Sequence, residues 1–326
     1  MLDVQTGEVL AMVNQPTYNP NDRSQLAAER YRNRAITDIF EPGSSIKPLV
    51  AAAAIESGQY GPASIVDTAP GFVVVGPKKI EDKQNLGRVS LTTILTRSSN
   101  VGITKLAMTL QPDQLWETMT EFGLGALTTS GFPGESAGML THFSSWRPIS
   151  QATLAYGYGI SVTPLQLAQA YSAIGNGGQM RPVSLVALDA PPESDQVLST
   201  DTADSVRRML EEVVRPGGTG TKAAVDGYRI AGKTGTAWKF TTGGYSEDKY
   251  ISIFAGLAPA SDPRLATGVV IDEPGGELYY GSDVAAPVFA DVMSESLRLL
   301  AVPPDALPAR DPGNVMQAMA TRTESQ

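Results

Sequence analysis

Apolar positions alternate near the two ends of the chain and recur at helical spacing in its middle. At the start, Leu2–Val4 and Val9–Val13 flank a Gln5-Thr6-Gly7 turn, a pattern that predicts a hairpin with Gly7 free to take positive φ. Asn19-Pro20-Asn21-Asp22 then breaks it. Ile46 to Ile55 is an Ala-rich helical run closed by Gly58. Residues 60–90, rich in Gly, Pro and Val, predict short strands and loops. Residues 91–110 read as two helical pieces interrupted at Ser98-Ser99-Asn100. Leu165 to Ile174 is a further apolar helix, stopped by Gly175-Asn176-Gly177-Gly178. Asp201 is the expected cap of a helix over Ala203–Val214.

Beyond that helix the period shifts to two, with strands expected at Tyr228–Lys239, Tyr250–Ala258 and Leu265–Asp272. A closing helix, Val288–Leu300, follows Pro287. The expected fold class is α/β (α+β): one antiparallel sheet built from both chain ends, flanked by helices, with an inserted all-helical region. Residues 1–305 form one domain, its sheet region at about 1–60 and 225–305 and its mainly helical region at about 61–224. Residues 306–326 are Pro-containing and then polar, and are expected to be a flexible tail. The chain opens abruptly inside a strand pattern, so the expectation is a domain trimmed from a longer protein, with Met1 added to start translation.

Composition narrows the chemistry. The 326 residues carry a formal net charge of -9, and no basic stripe offsets it, which argues against a nucleic-acid partner. No stretch reaches the ~18 apolar residues of a membrane span. Cysteine is absent, excluding disulfides, thiolate nucleophiles and Cys-ligated zinc. The single histidine, His142, cannot build a His-based metal site and reads as a loop or surface imidazole. No metal and no cofactor is expected.

What remains is a serine chemistry without histidine. Ser44 and Lys47 lie at i and i+3 at a helix start, so an amine can approach the hydroxyl. Lysine acts as a base once burial or a neighbouring cation lowers its pKa, and the helix N-terminus favours a developing alkoxide. Ser98 and Asn100, on a turn between helices, can relay a proton and hold the lysine or a substrate carbonyl. Lys233, Thr234 and Thr236 sit in a strand pattern around Gly235, whose missing side chain marks close approach of another backbone, expected to be a substrate. The lysine and the two threonines suit a substrate carboxylate, and backbone N–H groups at Ser44 and Thr236 suit an oxyanion. Singly, each motif is as well explained by a helix cap, a turn or a lysine-protected edge strand. Together and in this order they resemble the motif set of penicillin-recognising serine enzymes.

The flanks narrow the resemblance. Arg32–Ser44 (RNRAITDIFEPGS), Ser98–Gly102 (SSNVG), Tyr156–Gln166 (YGYGISVTPLQ) and Phe254–Pro259 (FAGLAP) resemble class B penicillin-binding proteins over residues 2–305. Asn14–Asn21, Tyr279-Tyr280-Gly281 and Ala286–Phe289 resemble the division-specific (FtsI) type of Gram-negative bacteria. The resemblance implies a penicillin-binding transpeptidase/β-lactamase-like fold and a peptidoglycan D,D-transpeptidase that cross-links septal wall through a Ser44 acyl-enzyme on D-Ala-D-Ala stem peptides. It implies Lys47 as base, Ser98 as relay, Asn100 as positioner, and Lys233, Thr234, Gly235 and Thr236 at the substrate carboxylate and oxyanion. Tyr245, Tyr279 and Tyr280 resemble aromatic wall residues of the family's drug pocket; their alternative is ordinary packing. Many members carry Ser where this chain has Thr234. The resemblance further implies β-lactams as covalent inhibitors, an FtsW-type (SEDS) glycosyltransferase and other divisome proteins as partners, and a place on the periplasmic face of the inner membrane through an anchor that this chain lacks. Other readings are a D,D-carboxypeptidase or β-lactamase on the same fold, and a non-catalytic penicillin-sensing or divisome scaffold domain.

Overall fold

The structure, a computed structural model, describes residues 1–22, 24 and 27–306. The expected tail lies, from residue 307, outside the described residues. β1 (Leu2–Asp3) opens the chain, and the single-turn α1 (Arg34–Thr37) precedes α2 (Lys47–Glu56). Short strands β2 (Ile65–Asp67), β3 (Phe72–Val75), β4 (Lys78–Glu81) and β5 (Arg88–Ser90) follow. Helices α3 (Leu91–Thr96), α4 (Asn100–Ala107), α5 (Pro112–Glu121), α6 (Pro148–Leu154) and α7 (Pro164–Gly175) fill the middle. After β6 (Gln179–Met180), β7 (Asp195–Gln196) and α8 (Thr200–Val214) come the long strands β8 (Ala231–Thr241), β9 (Gly244–Ala258) and β10 (Leu265–Asp272). α9 (Ala285–Leu299) closes the domain.

Both chain ends meet in one antiparallel sheet of order β1-β10-β9-β8. Its register pairs Leu2 with Ala266, Leu265 with Ala258 and Thr236 with Ser252. β9 shows why that strand reads as a nearly unbroken apolar run: Ile253, Ala255 and Leu257 join the larger core, while Phe254 and Ala258 join a second core with Phe289, Met293 and Leu297 of α9. A sheet covered on both faces needs apolar residues on both. α2 is buried from Lys47 through Ala54, as a helix apolar all round must be. The inserted region is not all helical: β2 pairs with β5, β3 with β4 and β6 with β7 in three small sheets.

Several elements depart from expectation. The N-terminal hairpin shrinks to one bridge, Leu2 to Val9. Leu2 and Asp3 pair with β10 instead, and Val9 N–H donates to Ser184 O at 2.8 Å. The cap of α8 is Ser199, whose hydroxyl accepts from Thr202 N, and Asp201 sits in the first turn. β9 begins at Gly244 rather than Tyr250, because its first part is a solvated extension with no buried face. α9 starts at Ala285 and takes Pro287 into its first turn, where a missing N–H costs nothing.

Candidate active site

Ser44 stands on a tight turn, Gly43–Ile46, that runs directly into α2. Ser45 Oγ donates to Pro42 O at 2.7 Å, and the buried Tyr171 hydroxyl of α7 donates to Ser45 O at 2.8 Å. The turn is pressed against its neighbours. A Cβ on Gly157 (φ +87) would lie 2.1 Å from Gly43 O, so only glycine fits there. Among the described residues the Ser44 hydroxyl has no hydrogen-bond partner.

One turn on, Lys47 is fully buried. Its Nζ donates to Ser98 O at 2.7 Å and Asn100 Oδ1 at 2.7 Å, and lies 3.3 Å from Ser98 Oγ. Both short partners are carbonyl oxygens, so a neutral amine satisfies them with two hydrogens and keeps its lone pair. Burial first, and then the Lys233 cation, hold Lys47 well below the usual lysine range, while the Asp82 carboxylate opposes them. The bridge depends on Ser98 being in left-handed backbone conformation, φ +57, which turns both its carbonyl and its hydroxyl toward the amine. For a non-glycine residue that geometry costs about 1–3 kcal/mol.

Lys233 enters from β8, the sheet's edge strand, and is also fully buried. Its best contacts are Thr234 O at 3.2 Å and Thr234 Oγ1 at 3.4 Å. Desolvation pulls its pKa down to about 7. The Thr234 hydroxyl in turn reaches Thr219 Oγ1 at 3.1 Å. Thr236 Oγ1 accepts from Gly281 N at 2.9 Å and keeps its own hydrogen for another partner. Gly235 is explained differently from the expected substrate approach: a Cβ there would lie 2.9 Å from Pro42 O, so it is the serine turn that needs the space.

Ser44, Ser98, Asn100, Thr234 and Thr236 line one cleft of about 930 Å³. Lys47 and Lys233 lie under its floor, behind these hydroxyls. Tyr245, Tyr279 and Tyr280 line the same cleft. Tyr279 stacks on Tyr250 at 3.9 Å, and Lys83 Nζ lies 3.8 Å from the Tyr280 ring centre. Tyr245 packs edge-on to Tyr158 and donates to Glu41 Oε1 at 2.9 Å; burial, then the Glu41 charge, push its hydroxyl pKa up. Burial also raises Glu41, against the Gly159 N–H and Tyr245 bonds that favour its charge. Sequence reasoning assigned nothing to Asp82, Glu41 or Thr219. Glu41 stands next to the Pro-Gly-Ser turn, a local signal; Asp82 and Thr219 reach the site only through the fold. Among the described residues no cluster of three or more His, Asp or Glu is placed to hold a metal ion.

A serine at the head of a buried helix, a serine–asparagine turn gripping a buried lysine, and a second lysine on the sheet edge define the class of penicillin-recognising folds. Within that class, this chain belongs to the penicillin-binding protein transpeptidase domain family, which matches residues 1–294. It is 45% identical over 311 residues to the peptidoglycan D,D-transpeptidase FtsI of Escherichia coli K12, covering 95% of this chain and 53% of that protein. It is 42% identical over 304 residues to the probable peptidoglycan D,D-transpeptidase PenA of Neisseria flavescens, covering 93% of this chain and 76% of that protein. The apo transpeptidase domain of Burkholderia pseudomallei penicillin-binding protein 3 superposes with a TM-score of 0.86 at 42% identity, covering 94% of this chain and 88% of that one. The chain thus spans about half the length of the E. coli relative.

Proposed function

We propose that this chain is the cross-linking domain of a division-type peptidoglycan D,D-transpeptidase, with Ser44 as nucleophile and Lys47 as its base. The observation that carries the reading is the buried Lys47 amine, held by Ser98 and Asn100 one turn from an unengaged Ser44 hydroxyl. Ser44 Oγ attacks the carbonyl of the penultimate D-Ala of a stem peptide, and its proton passes to Lys47. Backbone N–H groups of Ser44 and Thr236 receive the oxyanion. Lys233, Thr234 and Thr236 take the terminal carboxylate. Ser98 passes the proton to the leaving nitrogen, the C–N bond breaks and D-Ala departs, leaving a Ser44 ester. The amine of a neighbouring stem then attacks that ester, gives up its proton and restores the hydroxyl. A β-lactam opens along the first half of this path and stays attached.

The carboxylates on the cleft wall support a long-lived adduct. Asp82 holds the start of α4, Asp283 pairs with Lys222 and Glu81 with Lys79, so each is already engaged rather than set to activate water. Tyr245, Tyr279 and Tyr280 form the aromatic side of the ligand site. In the longer protein we infer a periplasmic position on the inner membrane, with an FtsW-type glycosyltransferase and other division proteins as partners. Among the described residues no helix is long and apolar enough to cross a membrane.

Intact-mass measurement after exposure to a penicillin tests the assignment. The expected result is one adduct of full inhibitor mass, on the peptide carrying Ser44, that persists for hours and is absent in Ser44→Ala. An adduct retained in Ser44→Ala overturns the nucleophile. Rapid release of opened product points instead to a hydrolase of the same fold.

A further inference from the structure

The turn that grips Lys47 is held partly from within, by Ser98 N–H on Leu95 O at 3.1 Å, Ser99 N–H on Ile94 O at 2.9 Å and Gly102 N–H on Ser99 Oγ at 2.8 Å. Ser98 is in a left-handed conformation, and its neighbours Ser99 and Asn100 begin α4. One side chain from a distant element gathers them. Asp82, just past β4, accepts from the Ser99 hydroxyl through Oδ2 at 2.5 Å. Its Oδ1 accepts from Asn100 N at 2.5 Å and Val101 N at 3.0 Å. The preceding carbonyl, Glu81 O, accepts from Asn100 Nδ2 at 3.4 Å. The peptide at Asp82 is itself anchored, its N–H donating to Gly71 O at 3.0 Å.

We propose that Asp82 is a positioning residue of the acylation site, which holds Ser98 and Asn100 on Lys47 from outside their own turn. This rests on the reading of Ser44 as nucleophile and Lys47 as base. Two consequences separate it from a plain helix cap. The first is geometric. Asn100 is bonded to Asp82 through its backbone and to Lys47 through its side chain, so loss of the tether loosens the Asn100 end of the bridge directly and the Ser98 end through Ser99. A displacement of ~1 Å at such a site can cost ~10²-fold in rate. The second is electrostatic. The charges acting on Lys47 are Lys233 from β8, which disfavours its ammonium form, and Asp82, which favours it. Removing the Asp82 charge therefore makes Lys47 easier to deprotonate, and a residue with only a structural task leaves that equilibrium where it was.

The test follows penicillin acylation against pH in wild type, Asp82→Ala and Asp82→Asn, each first checked for cooperative thermal unfolding. Asp82→Ala is expected to acylate about 10²-fold more slowly. Asp82→Asn keeps an acceptor for the α4 N–H groups but not the charge, and its acidic limb is expected to move to lower pH. Wild type that takes no label at Ser44 overturns the underlying reading and this inference with it. Wild type that labels normally, with folded Asp82→Asn showing the same acidic limb, overturns the inference alone. Should Asp82→Ala fail to fold, Asp82→Asn decides the matter by itself.

Discussion

Two buried lysines with opposite requirements meet at this site. In the proposed mechanism Lys47 must lose its proton to act as a base, whereas Lys233 must keep its own to attract a carboxylate. Both are lowered by burial, and the Lys233 cation lowers Lys47 further against the opposing Asp82 carboxylate. Acylation by a carboxylate-bearing β-lactam is therefore expected to be bell-shaped in pH. The rate falls at low pH as Lys47 takes up a proton. It falls again as pH rises through about 7 in the free protein, where Lys233 loses its own. Stopped-flow acylation across pH checks this, and a flat profile on the alkaline side would remove Lys233 from carboxylate binding. Lys47→Ala, measured in the same way, is expected to slow acylation by about 10²–10⁴-fold. At this scale the sequence was already informative. Ser44, Lys47, Ser98, Asn100, Lys233, Thr234 and Thr236 stand in three short motifs whose order carries the family resemblance; five of them line one cleft, and the two lysines are buried beside Ser98 and Thr234. Asp82 was not legible in this way, because a carboxylate after a short polar strand has no local pattern that reveals its partners.

Elements bring these residues together by unusually close backbone packing. The serine turn lies between Gly157, where the chain leaves α6, and Gly235 on β8. The sheet edge is pressed in turn by Gly281, where a Cβ would fall 2.2 Å from Gly235 O. Gly157→Ala would drive a methyl group into Gly43 and add left-handed strain. The expected outcome is a loss of about 1–3 kcal/mol in stability, with acylation slowed more than the melting temperature alone explains, because the displaced element carries Ser44. Denaturant unfolding and acylation kinetics on the same preparation separate the two; wild-type acylation in a destabilised Gly157→Ala would show the turn to be more tolerant than its packing implies. Periodicity located most elements, including α2, α7 and the cores of β8, β9 and β10. It missed the extension of β9 below Tyr250, where neither face is buried. It also misjudged the N-terminal hairpin, whose two sides find better partners in β10 and at Ser184.

On the scale of the molecule, the first and last parts of the chain depend on each other. Leu2 is 1% exposed and Asp3 is paired with Arg264 at 2.8 Å across the sheet. β1 is thus the far edge of the sheet whose near edge, β8, carries Lys233. Leu2→Ala is expected to cost about 2–5 kcal/mol, lowering the melting temperature, while acylation at temperatures where the protein stays folded is unchanged, since two strands separate Leu2 from the cleft. A parallel loss of acylation in the folded variant would show that the sheet transmits strain to its working edge.

The sequence by itself determined which side chains could do acyl transfer, that two chain ends would share a sheet, and which family the chain belongs to, because motif order and apolar period are written locally. Only the tertiary structure decided what those side chains feel. Burial depends on what α2, α7, α8 and the sheet pack around Lys47 and Lys233, and so the lowered proton affinity of both lysines is a property of the packing. The same is true of Asp82. Its hold on the Ser98-Ser99-Asn100 turn exists because β4 ends against the start of α4, a contact between segments whose separation along the chain leaves no trace in either one.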